Sequence, residues 1–185
     1  MAASDYGLET KFARLGEEIA LTDGSVIEGY ASLFGITDKG GDVVVAGAYG
    51  RSLKKLSAEG RAVKMLWQHD PAQPIGVWEA ISEDAKGLKV RGRILSEVEK
   101  GREAMALIAA GAIDGLSIGY RTVTAEKDAN GHRLLREVEL WEVSLVTFPM
   151  LPEARVGAKG DRPEAQALRE LAAVFEDARR MLACR

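Results

Sequence analysis

The chain has 185 residues, 46% of them apolar and 29% charged, a mix that suits one globular domain with a real core and excludes disorder of the whole chain. Lys and Arg total 25 against 28 Asp and Glu, a net charge of -3, so no electrostatic ground exists for nucleic acid or an anionic membrane as partner. The single cysteine, Cys184, excludes an intramolecular disulfide, and no apolar stretch is long enough to span a bilayer, so a cytosolic setting without a membrane anchor is expected.

Residues 25–34 are rich in Val, Ile, Tyr and Phe and read as a strand entering a turn that contains Gly40 and Gly41. Over 48–57, Tyr49, Leu53 and Leu56 fall at helical spacing, which predicts a short amphipathic helix closed by Gly60. A strand over 63–67 runs into Gln68-His69-Asp70-Pro71, where the proline is expected to end regular pairing, and the pattern resumes over 75–81. His69 is thereby placed at a strand end.

Residues 87–94 alternate Leu88, Val90, Gly92, Ile94 against Lys89, Arg91, Arg93, as in a strand with one wet face. Ser96 followed by Glu99 has capping-box spacing, and Val98, Met105 and Ile108 form one stripe ending at Gly111, which predicts a helix over 97–110. Strand-like runs over 116–125 and 133–148 flank Asn130-Gly131, the strongest short hairpin signal. Beyond a linker at 157–162, Asp161 and Pro163 can open a last helix whose stripe is Leu168, Leu171, Phe175, Ala178 and Leu182. The architecture implied is α+β, mainly β: a mostly antiparallel barrel of about six or seven strands with surrounding helices. Residues 1–157 would form the barrel domain, and 158–185 the linker and C-terminal helix.

Gly115-Leu116-Ser117-Ile118-Gly119 matches G-x-S-x-G, but β-like residues follow it instead of a helix, so by itself it reads as a strand serine beside glycines. The hairpin adds geometry. With Asn130-Gly131 as a two-residue loop, Ala129 pairs with His132 and Ser117 lies opposite Ser144. Glu142 is then a diagonal neighbour on the face of Ser117, roughly 7–8 Å away between backbones, enough for an imidazole between hydroxyl and carboxylate. Glu139 falls opposite Thr122 on the other face, and a one-residue bulge would exchange the two glutamates. A serine nucleophile needs a base, and the chain has two histidines. His132 at the hairpin tip reads as an exposed turn residue. For His69, a catalytic role and a plain loop role stand side by side.

Four blocks in order, Gly29-Tyr30-Ala31-Ser32-Leu33-Phe34, Leu66-Trp67-Gln68-His69-Asp70, Gly115-Leu116-Ser117-Ile118-Gly119-Tyr120 and the run from Glu139 through Trp141-Glu142-Val143-Ser144 to Pro149, resemble the tailed-phage prohead (capsid maturation) serine proteases. The resemblance spans about residues 29–156. It implies a fold like that of the herpesvirus assembly proteases, with His69 as general base, Ser117 as nucleophile and Glu142 as orienting acid. It implies a serine endopeptidase that cleaves the major capsid protein and its scaffold region inside the assembling procapsid, in the host bacterial cytoplasm. Self-cleavage and a homo-oligomer are compatible with it; no cofactor or metal is implied. Arg155, in the loop 149–156, is a candidate oxyanion donor. The competing readings are a non-catalytic head-assembly barrel and a small serine esterase, while the two histidines and one cysteine give no recognisable metal spacing.

Overall fold

The structure, a computed structural model, describes residues 9–12, 20–22, 24–38 and 40–147. The strands are β1 (Glu9–Phe12), β2 (Ala20–Thr22), β3 (Val26–Leu33), β4 (Asp42–Val44), β5 (Lys64–Trp67), β6 (Asp70–Glu83), β7 (Gly87–Ile94), β8 (Gly115–Lys127) and β9 (Arg133–Val146). Two helices interrupt them, α1 (Gly50–Ala58) and α2 (Glu99–Ala109). All nine strands join one sheet in the order β1-β8-β9-β5-β6-β7-β3-β2, with β4 added against β9. The sheet curls into a half-barrel that brings β3 close to β8.

The mainly β architecture agrees with the sequence pattern, but the expectation of six or seven mostly antiparallel strands needs correction. Among the described residues there are nine strands, and β4 and β5 both run parallel to β9. Alternation of apolar residues identifies a strand and its wet face, whereas the choice of a parallel neighbour is made by the crossover that returns the chain. The linker and C-terminal helix expected over 158–185, with Asp161 and Pro163, lie outside the described residues, as does Arg155.

β9 is the hub because both its edges are used along its length. One edge pairs with β8 throughout. The other meets β4 at 133–135, then α1 and its approach, where Val138 N donates to Ala48 O and Leu140 N to the Ser52 hydroxyl, and finally β5 at 142–145. Its buried backbone amides are thus satisfied in relay, as an interior strand requires.

β7 follows its sequence pattern closely: Leu88, Val90, Gly92 and Ile94 are buried, and Lys89, Arg91 and Arg93 face solvent, where they meet Glu28 and Glu79 across the sheet. The core beneath collects Ile27, Leu88, Ile94, Leu116, Ile118, Val143 and Leu145. α1 seats Tyr49, Leu53 and Leu56 against it, as the spacing predicts. α2 starts two residues later than expected, at Glu99, because the Ser96 hydroxyl bonds to Glu97 instead of capping, and Val98 is the cap residue with no side-chain bond. It stops where Gly111 takes φ of 70°.

Candidate active site

Ser117 lies within β8, near its start, and is wholly buried, on regular strand and not on a strand-to-helix turn. Its directly opposite residue on β9 is Ser144, as the hairpin reasoning predicts. The loop assumed in that reasoning is different. The strands are joined by residues 128–132, with Lys127 paired to Arg133, and bulges along the ladder bring the register back to the expected one at Ser117. One of them lies between the pairs Gly119–Glu142 and Tyr120–Leu140, where Trp141 is the extra residue of β9.

That bulge corrects the argument about Glu139. Glu139 is opposite Arg121, not Thr122, so the alternation that was to turn it away from the site does not hold. Its partners separate it from Glu142 instead. Burial raises the Glu139 carboxyl, but hydrogen bonds and charge from Arg121 and Lys55 outweigh this and hold it below the usual carboxylate range.

Glu142 is 5% exposed, and its carboxylate would be costly to bury without partners. It has two: Oε1 accepts from His69 Nδ1 at 2.5 Å, and Oε2 accepts from the Ser144 hydroxyl. Space for it comes from Gly119, directly opposite, where a Cβ would collide with the carboxylate. The second glycine of G-x-S-x-G therefore makes room for the acid, a role that the five-residue pattern does not reveal.

His69 lies where the strand ends, as the sequence places it, at the second position of a two-residue turn between Trp67 and Asp70, but Asp70 and Pro71 already belong to β6. The expected break at the proline is absent because the pairing is renewed through bulges at Met65, Leu66 and Trp67. Gln68 and His69 have φ of 52° and 61°, the left-handed pair that a tight hairpin turn of this kind requires and that Asn-Gly would adopt far more readily. For side chains with a Cβ this costs roughly 1–2 kcal/mol per residue. β9 and the residue that follows it offset this: Gln68 N donates to Leu145 O at 2.9 Å, Gln68 Nε2 to the Thr147 hydroxyl at 2.6 Å, and His69 N to the Ser144 hydroxyl at 3.3 Å.

A carboxylate only accepts, so Nδ1 carries the proton and Nε2, itself buried, is the basic nitrogen. The structure thus joins His69 and Glu142 by a direct bond and sets Ser117 across the ladder from Ser144, which touches both of them. Ser144 is the residue that sequence reasoning missed. Its position opposite Ser117 was derivable, but its bond to the His69 amide arises only when the β5–β6 turn docks on β9. His132 is away from this group, on the 128–132 turn, bonded to Asp128 at 2.9 Å. No group of three or more His, Cys, Asp or Glu among the described residues could hold a metal ion.

Residues 14–167 match the sequence family described as caudovirus prohead serine protease. The chain is 29% identical over 168 residues to the prohead protease of Enterobacteria phage HK97, an alignment covering 88% of this chain and 70% of that protein. In fold it is similar to the bacteriophage T4 capsid assembly protease gp21, with a TM-score of 0.60 at 18% identity, covering 77% of this chain and 98% of the other.

Proposed function

Because the chain belongs to the caudovirus prohead serine protease family, we propose that it performs phage head maturation proteolysis through Ser117, His69 and Glu142, cutting capsid and scaffold protein inside the procapsid. The observation that carries the assignment of roles is the 2.5 Å bond from His69 Nδ1 to a buried Glu142, on a turn whose amide rests on the serine opposite Ser117. Nε2 takes the Ser117 proton as Oγ attacks the scissile carbonyl, and returns it to the leaving amine; water then releases the acyl group by the same base. Glu142 keeps the imidazole in the tautomer that can accept and stabilises the imidazolium that forms. The fold likeness to herpesvirus assembly proteases belongs to the same proposal. Among the described residues no helix is long and apolar enough to cross a membrane.

The test is processing of the co-expressed capsid protein, followed by intact mass, beside labelling by a serine-directed fluorophosphonate. Ser117→Ala should abolish both, with turnover down by about 10³-fold or more, and the parent rate should fall toward acid because only a neutral imidazole accepts the proton. Normal processing by Ser117→Ala ends the assignment. Labelling of the parent without any processing of capsid protein favours the esterase reading.

A further inference from the structure

β1 lies along β8 at the edge opposite β9, in antiparallel register, with Phe12 facing Ser117 and Glu9 facing Tyr120. β8 carries the nucleophile, and its other edge is filled by β9, so among the described residues the β1 position is where a peptide could add as a strand beside Ser117. Extended peptides commonly bind in this way, through main-chain bonds to a sheet edge and pockets for alternate side chains. β1 has only four residues and precedes the family match, which starts at residue 14.

The far end of this edge holds a carboxylate reader. Glu9 Oε1 accepts from Thr122 N at 3.3 Å and from the Thr122 hydroxyl at 2.5 Å, and Oε2 accepts from Arg133 Nη2. Arg133 is set beforehand by Asp42, which takes its Nε at 2.9 Å and its Nη2 at 2.6 Å. The cleft around it is lined by Asp38, Asp42, Tyr120 and Arg133 together with Glu9. At the Glu9–Arg133 pair the side chains remain 35% and 39% exposed, so it is a screened contact of modest strength that another carboxylate can replace.

Resting on the protease reading above, we infer that the outer edge of β8 is the substrate-strand site, that β1 occupies it as a stand-in, and that Arg133 and Thr122 select an acidic residue three positions before the one facing Ser117. Substrate and β1 then exclude one another, and access to Ser117 depends on displacing the chain's own N-terminal strand. Burial raises the Glu9 carboxyl, but the Thr122 and Arg133 bonds outweigh it and hold it below the usual carboxylate range.

The test uses the full chain and a fluorescent peptide of its residues 5–17. Binding is read by anisotropy on Ser117→Ala combined with Glu9→Lys, which loosens β1 without need of catalysis. The peptide should bind, its Glu9→Gln counterpart about tenfold more weakly, and Thr122→Val should erase most of that difference. In the otherwise native chain, Glu9→Lys should speed fluorophosphonate labelling about tenfold, and added peptide should slow it again. Equal binding of the two peptides, or none, overturns the inference, as does a labelling rate unchanged by Glu9→Lys and by peptide, and the protease reading survives these outcomes. Selective binding in a chain that no fluorophosphonate labels supports the strand site and removes the serine chemistry instead.

Discussion

The chain's two histidines both sit on hairpin turns, and the two turns are stabilised in opposite ways. The 128–132 turn is locally complete: Asp128 Oδ1 accepts from Asn130 N and His132 N, both at 2.8 Å, and Gly131 takes φ of 88°. The His132 hydrogen bond holds the Asp128 carboxyl below its usual range. The Gln68-His69 turn places two non-glycine residues at positive φ, and hydrogen bonds to Ser144, Leu145 and Thr147 of the β9 end hold it there. A turn that local chemistry satisfies can sit anywhere. A turn held against its own preference by the neighbouring strand delivers a side chain to a chosen place, which is where backbone strain tends to collect.

The contrast breaks most sharply at the imidazoles. His69→Ala should lower kcat/KM by about 10³-fold or more, and His132→Ala should leave it within about twofold. Cleavage rates on variants that melt like the parent check this; a dead His132→Ala with an active His69→Ala would reverse the assignment.

The two glutamates of β9 sharpen it next. Glu142→Gln should cost about 10²-fold or more in kcat, since the neutral amide cannot stabilise an imidazolium. Glu139→Gln removes only a partner of the exposed Arg121 and Lys55, so stability should drop by less than about 1 kcal/mol with the rate unchanged. If Glu139→Gln is the inactive one, the role given to the His69–Glu142 bond is wrong.

Ser144 tests whether docking of the turn matters beyond the presence of its histidine. Ser144→Ala removes both the acceptor of the His69 amide and a donor to Glu142, so kcat should fall about tenfold with KM little changed. A loss confined to stability, with kcat per folded molecule intact, would make the hydroxyl merely structural. The smallest effect is expected at the other turn: Gly131→Ala forces a Cβ into the left-handed region and should lower stability by about 1 kcal/mol, seen as a lower Tm, without touching the rate.

What the sequence determined by itself rests on local chemistry. The alternation in β7, the α1 stripe, the G-x-S-x-G strand and the β8–β9 hairpin are each specified by neighbours in the chain, through side-chain period and turn preference. Even the pairing of Ser117 with Ser144 followed, though by way of a loop length that is wrong and bulges that offset the error. The tertiary structure alone decided how His69 is brought to Glu142. Three features do so: the parallel docking of β5 on β9, the positive-φ turn that this docking supports, and the gap at Gly119 that admits the Glu142 side chain. None of them leaves a periodic signature. The first two depend on β5 being brought alongside β9 by a long crossover, and the third on the bulged register of the β8–β9 hairpin, so the bonds that compensate strain and burial come from residues remote in the chain.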